Sequence, residues 1–374
     1  MRVACLCTIA LMIPLSALPQ RKPVKVQINV GVDTANHEIG AVVHLWQEYL
    51  NSRADSAHDN PLWLAAERER YTNFDLVNHT WFSPSLYGLM RAYKPTVLSV
   101  SQISGGFKIR TLFSYPSDSG FANVLAITEL AAKKEDGVYK LGNMLTDNTA
   151  GWGNETVGSI TFHFPPGHTF NTPLAEHMNK FVDSIRTLWK MEPIPVDYYF
   201  AGTVDSVYKA IGIDYVMTSG NIPRPGGYTQ IQNHLVFAGG SNEWYPHEFV
   251  HIYINPRFPG ANPYFSEGYA ALLGGSRGHD LDWHIRRTNS YLQDHPGADL
   301  LSLNNIDFAT GTVYVVGGLI CRMADEKGGL DLLRKLFGYG GEEQDFYRAM
   351  KDVFGVEQNK LNQFLRDKIS EYAR

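Results

Sequence analysis

The apolar positions in the first half of the chain change their spacing near residue 95. A short alternating run over 24–30 predicts a strand, and from Ile39 to about Tyr93 the apolar residues recur at helical spacing. Beyond that point, apolar runs separated by turn-forming residues predict strands at 97–103, 107–115, 122–132, 138–144 and 159–164. Successive strands joined in this way indicate a curved antiparallel sheet that packs on the preceding helices.

A second region begins after the turn signal at 165–167. Its pattern predicts a helix at 173–189, a strand at 195–201, a helix at 203–211, a strand at 233–238 and mainly helical sequence from Ser241. We therefore predict an α+β protein, with an N-terminal module at 21–168 and a second domain at 169–374 that has a small sheet and a mainly helical C-terminal lobe. By the order of its elements, the N-terminal module resembles the cystatin-like and nuclear-transport-factor-like folds. The sequence leaves open whether this module binds substrate, blocks a site or only docks.

Residues 1–20 predict a targeting segment. Arg2 precedes an apolar stretch over 3–18 that ends near the small residues Ser16 and Ala17, which is the order of a secretory signal peptide. The stretch is short for a membrane span, and no second one approaches that length. The sequence therefore predicts a secreted or periplasmic protein without stable membrane insertion, with a retained membrane anchor as the alternative.

Cysteine content and charge limit the other possibilities. Cys5 and Cys7 lie in the predicted signal segment, so Cys321 would be alone in the processed protein. A chain of 374 residues is large enough to fold without disulfides. The net charge of −5 favours neither nucleic acid nor an anionic membrane as a partner. The oligomeric state is not indicated.

The chemistry is concentrated in the sequence His-Glu-Phe-Val-His at 247–251. On a helix, the i, i+4 spacing places the imidazoles of His247 and His251 on one face, where both can bind one Zn²⁺. Glu248 lies beside a ligand, where it can accept a proton from an attacking water. This spacing predicts a zinc site with a general base.

Helix signals after this motif bring a third ligand into range. Asn255 and Pro256 end the first helix. Asn262 is a favourable N-cap and Pro263 a favourable first residue of a second helix, with Glu267 in its second turn. If the two helices pack antiparallel, Glu267 points at the histidines and completes a His₂Glu site with an open fourth position.

The two motifs together resemble the gluzincin metallopeptidases, the clan that contains thermolysin and the zinc aminopeptidases. The second motif here reads Ser-Glu-Gly at 266–268, and gluzincins have an Asn-Glu-Gly or Ser-Glu-Gly step at the start of a helix. The resemblance covers the second domain. It implies a zinc-dependent peptidase that acts on a peptide or protein substrate, with zinc on His247, His251 and Glu267 and with Glu248 as the general base.

Three features depart from known patterns. Only fifteen residues separate His251 from Glu267, a few fewer than in the best-known gluzincins, so the loop between the helices must be short. Residues 193–242 contain no Glu, although the zinc aminopeptidases use one there to hold the free amine of the substrate. Ile254 and Arg257 stand where the metzincin pattern has Gly and His. Aminopeptidase activity of the familiar type is therefore disfavoured.

The resemblance also implies two further functional elements. Tyr314 precedes a helix like the one in aminopeptidase-like gluzincins whose tyrosine stabilises the oxyanion, with a core or wall tyrosine as the alternative. The strand over 234–238 corresponds to the gluzincin edge strand that pairs with the substrate backbone. Gly239 and Gly240 would allow close approach of the substrate there, and an ordinary connecting strand is the alternative.

The sequence also contains a possible second metal site and is compatible with two other functions. His279 and His284 flank Asp280 and Asp282 and could form a second metal site, but a solvated loop face is the simpler interpretation. A zinc-binding protein without catalysis and a zinc hydrolase of non-peptide substrates remain open. An intact Glu248 disfavours the first of these, because a structural zinc site needs no base.

Overall fold

The computed structural model describes residues 23–52, 60–78, 86–217 and 225–374. The predicted signal segment at 1–20, with Cys5 and Cys7, lies outside the described residues. In chain order, the strands are β1 (Gln27–Ile28), β2 (Lys94–Ile103), β3 (Gly106–Pro116), β4 (Ala122–Glu135), β5 (Val138–Gly142), β6 (Gly153–Val157), β7 (Ile160–Phe164), β8 (Val196–Ala201), β9 (Ile213–Val216), β10 (Gly226–Gln230) and β11 (Leu235–Gly239). The helices are α1 (His37–Asn51), α2 (Ala65–Arg70), α3 (Leu145–Asn148), α4 (Thr172–Trp189), α5 (Val204–Ile211), α6 (Pro246–Ile254), α7 (Pro263–Gly274), α8 (Leu281–Asp294), α9 (Thr312–Phe337), α10 (Glu343–Phe354) and α11 (Gln358–Tyr372). None of these described helices is long and apolar enough to cross a membrane.

The strands form two sheets. In the first sheet, β1 to β5 lie side by side in chain order, and β9 pairs with β4. The pairings in this sheet are antiparallel except for β1 with β2. The second sheet has the order β10-β11-β8-β7-β6. Its three central strands are parallel, and an antiparallel strand lies at each edge. The predicted α+β class is confirmed.

The two sheets exchange strands across residue 168. β6 and β7 precede this residue but join β8 in the second sheet, whereas β9 follows it but joins β4 in the first sheet. The division predicted at residue 168 therefore does not coincide with the division between the sheets. The sequence did not predict β6, β9 or β10, because these short segments contain glycines or charged and polar residues in place of a clear apolar pattern.

The segment before β2 is less helical than predicted. Between 39 and 93 the described residues contain α1, α2 and a 3₁₀ helix at Leu86–Arg91, and the chain at 71–78 follows turns. Trp63 and Phe74 are buried there without helical structure. Their rings pack against each other with centroids 5.2 Å apart. The spacing of such aromatic residues along the sequence resembled the buried face of a helix, although these two residues lie outside helices.

The second sheet separates two hydrophobic cores. Because successive side chains of a strand point to opposite faces, Tyr198 and Phe200 of β8 pack against α4 and α6, whereas Tyr199 packs in the core beside the first sheet. Phe237 of β11 lies on the same side as Tyr199, and their rings stack at 5.3 Å. A sheet buried on both faces is a rigid support for the helices that follow it, and α6 comes directly after β11.

Candidate metal centre

Helix α6 presents both histidines on one face. It begins at Pro246, which is suited to a first turn because its missing N–H has no partner there in any helix. All nine residues of α6 are buried. His247 is 7% exposed and His251 6% exposed, and their ring centroids are 5.1 Å apart. The predicted i, i+4 pair is therefore present on a fixed, buried helix.

Glu267 reaches the same point from helix α7. The side chain of Asn262 accepts a hydrogen bond from the N–H of Tyr264 at 3.0 Å and so caps α7, as predicted. One carboxylate oxygen of Glu267 lies 3.3 Å from Nε2 of His247 and 3.5 Å from Nε2 of His251. The short connection between α6 and α7 thus brings the three predicted ligands together.

Two glycines fix the position of α7 against α9. A Cβ added at Gly268 would lie 2.1 Å from the backbone carbon of Gly317, and one added at Gly317 would lie 1.9 Å from the carbonyl oxygen of Tyr264. The helices can approach this closely only because neither residue has a side chain. Glu267 adjoins one of these glycines, and Tyr314 lies one turn before the other. The contact therefore sets where both side chains stand.

Each histidine is oriented through its outer ring nitrogen. Nδ1 of His247 lies 2.6 Å from the carbonyl oxygen of Gly275, and Nδ1 of His251 lies 3.3 Å from Oδ1 of Asn255. Both partners are acceptors, so Nδ1 donates to them and Nε2 is the nitrogen that faces Glu267. Acceptors of this kind fix the tautomer of metal-binding histidines.

The electrostatics of the three ligands favour a cation. Burial disfavours a charged imidazole, but the carboxylate of Glu267 outweighs burial and raises the pKa of His251 to about 9. Burial would raise the pKa of Glu267, but the charge of His251 and a hydrogen bond from His247 hold this pKa well below its usual range. A divalent cation would replace the proton that this arrangement attracts.

The donor set fits zinc. His247, His251 and Glu267 each offer a ligand atom, and these atoms lie within 4.8 Å of one another. Two imidazole nitrogens and one carboxylate oxygen are the protein ligands of a group of catalytic zinc sites, which leave one position open to water or substrate.

Glu248 faces the second sheet rather than the three ligands. Oγ1 of Thr229 lies 2.7 Å from Oε2 of Glu248 and 3.1 Å from its backbone oxygen. A Cβ added at Gly227 would lie 3.2 Å from Cγ of Glu248. Gly227 and Thr229 are two positions apart, so the same face of β10 borders Glu248. The hydroxyl of Thr229 fixes the carboxylate of Glu248, whose negative charge contributes to the raised pKa of His251.

Tyr314 lies beside the first ligand. Its ring centroid is 5.6 Å from that of His247, with the planes at 74°. The guanidinium carbon of Arg277 lies 5.4 Å from the centroid of the Tyr314 ring. The structure thus brings Tyr314 to the metal centre, together with a cationic residue that sequence analysis did not single out.

The edge-strand prediction for 234–238 is wrong. These residues form most of β11, which lies between β10 and β8, so β10 is the edge strand next to α6. A Cβ added at Gly239 would lie 2.2 Å from the backbone nitrogen of Val204, which shows that this glycine admits the start of α5. Gly240 has a φ of 69°, and its N–H donates to the carbonyl of Ala201 at 2.9 Å. These contacts explain both glycines without a substrate.

The other histidines have separate roles. His284 is fully buried, contrary to the solvated-face interpretation, with its ring nitrogens 2.9 Å from Oγ of Ser276 and 3.2 Å from Oγ1 of Thr310. His279 is exposed, and the side chain of Asp280 caps α8. In the described part of the chain these residues do not assemble into a second metal-binding group.

Comparison with known proteins finds distant structural likeness alone. No protein-family model matches the chain, and no curated protein sequence matches it. Among solved structures, a mutant M1 zinc metallopeptidase from Deinococcus radiodurans aligns with 11% identity and a TM-score of 0.33, over 76% of this chain and 64% of that one. A two-domain M1 zinc metallopeptidase mutant bound to L-arginine aligns with 12% identity and a TM-score of 0.31. The M1 zinc metallopeptidase from Deinococcus radiodurans aligns with 10% identity and a TM-score of 0.29, over 75% of this chain and 63% of that one. This chain spans less than two thirds of the length of these proteins, and likeness at this level does not assign a function.

Proposed function

We propose that this protein is a zinc-dependent hydrolase that cleaves peptide bonds. The observation that carries the proposal is the convergence of His247, His251 and Glu267 at one point. The two histidines share helix α6 with Glu248, whose carboxylate is fixed by Thr229 and acts electrostatically on His251. A structural zinc site would close its fourth position and would have no use for a neighbouring base.

Each residue around the proposed zinc would have a separate chemical role. A bound Zn²⁺ supplies Lewis acidity, which polarises a carbonyl group and lowers the pKa of water. Glu248 would accept a proton from the attacking water and later donate it to the leaving amine. Tyr314, beside His247, is the candidate donor to the negative charge that develops on the carbonyl oxygen.

The edge strand β10 favours a peptide over other substrates. An extended peptide can extend a sheet by pairing with an edge strand, and β10 is the last strand of its sheet among the described residues. The face of β10 that carries Thr229 borders Glu248. A peptide paired along this strand would therefore pass the base. Export through the segment at 1–20 remains part of the proposal, with substrates outside the cytoplasm.

The test is Glu248→Gln, measured against the exposed control Glu176→Gln on α4. We expect the first variant to lose about 10²–10⁴-fold in turnover of a peptide library while it keeps its zinc, and the second to match the wild type. Full activity in Glu248→Gln would contradict the proposed role. If the zinc-loaded wild type cleaves no peptide, the alternatives are a zinc-binding protein without catalysis and a hydrolase of other substrates, which a panel of ester and amide substrates would separate.

A further inference from the structure

A tight turn between α7 and α8 holds Arg277 in an unfavourable backbone conformation. The N–H of Ser276 donates to the carbonyl of His279 at 2.8 Å, and the N–H of His279 donates back at 2.9 Å. Between them, Arg277 has a φ of 49° and Gly278 a φ of 86°. A left-handed conformation costs a non-glycine residue about 1–2 kcal/mol. Strain of this kind persists where the surrounding structure enforces it, and it concentrates at functional sites.

The side chain of Arg277 is held beside Tyr314, which borders the candidate metal centre. Nη1 donates to the carbonyl oxygen of Phe308 at 3.2 Å, and Nη2 donates to Oδ1 of Asn305 at 3.0 Å. The guanidinium carbon also lies 5.4 Å from the ring centroid of Tyr314, which in turn lies 5.6 Å from that of His247. One aromatic ring therefore separates a permanent positive charge from a proposed zinc ligand.

The same turn lies at the beginning of the edge strand. A Cβ added at Gly278 would be 3.3 Å from Cγ of Pro225, the residue that precedes β10. Thr229, which contacts the proposed base, lies three residues after Gly226, the first residue of β10. At about 3.3 Å per residue, Gly226 and Thr229 are roughly 10 Å apart. A peptide paired along β10 would thus meet Arg277 about three residues from the bond that is cleaved.

We propose that Arg277 binds a carboxylate of the substrate and makes the enzyme selective for acidic peptides. This inference rests on the hydrolase proposed above. A guanidinium matches a carboxylate with two parallel hydrogen bonds, and the tight turn anchors Arg277 between α7 and α8. The carboxylate can come from an Asp or Glu side chain or from a free C-terminus, since the chemistry is the same.

The experiment compares matched peptides on wild type, Arg277→Gln and Arg277→Lys. The series starts from a cleaved library peptide and places Glu or Gln at each position within four residues of the cleaved bond, with a free or amidated C-terminus. We expect wild type to prefer one carboxylate position by about tenfold in kcat/KM. Arg277→Gln should lose this preference, with a larger fall in kcat/KM on the carboxylate peptides than on the neutral ones, and Arg277→Lys should keep part of the preference. The control Arg348→Gln removes an exposed arginine that pairs with Asp345 and should behave as wild type.

The outcomes separate the possible roles of Arg277. A preference for Glu with the amidated peptide identifies an acidic side chain as the ligand, and a preference that follows the free terminus identifies the C-terminal carboxylate. An equal loss on all peptides in Arg277→Gln would mean that Arg277 only supports Tyr314, and this would overturn the proposal. The absence of any preference in wild type would overturn it as well.

A binding measurement distinguishes this proposal from the proposed hydrolysis. The zinc-loaded Glu248→Gln variant is titrated with three fluorescent alanine octapeptides: one amidated and neutral, one amidated with a single Glu, and one neutral with a free C-terminus. Tighter binding of either carboxylate peptide that disappears when Arg277→Gln is added would support the carboxylate site even if no peptide is cleaved. Equal binding of all three peptides would contradict the carboxylate site, whatever the outcome for hydrolysis.

Discussion

Two regions of the molecule bury polar side chains, and they arrange them in opposite ways. Beside the first sheet, Asn143 is 3% exposed. Its Oδ1 accepts from the N–H of Leu76 at 3.0 Å, and its Nδ2 donates to the carbonyl of Phe74 at 2.7 Å and to Glu67. Its own N–H donates to Glu67 at 2.9 Å. We call these residues the Asn143 network. Every bond in it runs from an N–H donor to an oxygen acceptor, and the network connects three chain segments.

The candidate metal centre uses its buried histidines differently. The outer nitrogens of His247 and His251 are bound to Gly275 and Asn255, but both inner nitrogens face a single oxygen of Glu267. Burial of polar groups is common to both regions. The type of nitrogen that faces the carboxylate distinguishes the two regions. Amide N–H groups, which keep their protons, face Glu67 in the Asn143 network, whereas imidazole nitrogens, which can bind a metal in place of a proton, face Glu267.

The largest expected effect is a loss of stability when the Asn143 network is broken, with no change at the candidate metal centre. Asn143→Ala leaves the N–H of Leu76, the carbonyl of Phe74 and the carboxylate of Glu67 without this partner. We expect the free energy of unfolding to fall by about 3 kcal/mol, since each buried polar group left without its bond costs about 1–3 kcal/mol. Urea unfolding would measure the loss, with the exposed Asn154→Ala on β6 as a control expected within about 0.5 kcal/mol of wild type. Zinc content and activity of the folded Asn143→Ala protein should be unchanged, and a loss of zinc in that fraction would break the distinction.

The next effect concerns the hydroxyl that holds Glu248. Thr229→Val removes one hydrogen bond to a carboxylate, which is worth about 1.5–3 kcal/mol. We expect kcat to fall about tenfold or more, with unchanged zinc content, and Thr229→Ser to restore it. Thr156→Val, the same substitution on the opposite edge strand of the second sheet, is the matched control. Equal activity of the two valine variants would show that Thr229 does not position the base.

The smallest effect is a dependence of stability on pH that comes from a buried histidine without a carboxylate partner. Burial lowers the pKa of His284 below its ordinary value of 6.5. Below about pH 6.5, His284 therefore takes up a proton in the unfolded chain but stays neutral in the folded protein. The free energy of unfolding should consequently fall as the pH drops below that value. Unfolding midpoints of wild type and His284→Gln between pH 7.5 and 5.5 would isolate this contribution. A wild-type curve no steeper than that of the variant would contradict it.

The local features of this protein were predictable from sequence. Thr203 caps α5 and Asn262 caps α7, as their positions before helical runs predict, and the apolar spacing of 173–189 matches α4 closely. The relation of His247 to His251 follows from helix geometry alone. Each of these depends on residues that are neighbours in the chain, where spacing and capping rules apply.

Features that depend on distant contacts were not predictable. The short strand β10 gave no alternation, so the sequence assigned the edge position to β11, and the contact of Thr229 with Glu248 stayed hidden. Gly268 and Gly317 lie far apart in sequence, and nothing in either neighbourhood indicates that they meet. Arg277 stands in what the sequence indicates only as the end of a helix. The residues that complete the site were missed because packing, and not local pattern, brings them there.

The most direct test of the metal centre is the zinc content of wild type, Glu267→Ala and the exposed control Glu176→Ala, measured by elemental analysis after equilibration in the same zinc buffer. Our account predicts about one zinc per chain in wild type and in the control. In folded Glu267→Ala, zinc should be absent or greatly reduced. Full zinc occupancy in Glu267→Ala would contradict the proposed ligand set, as would the absence of metal in the reconstituted wild type.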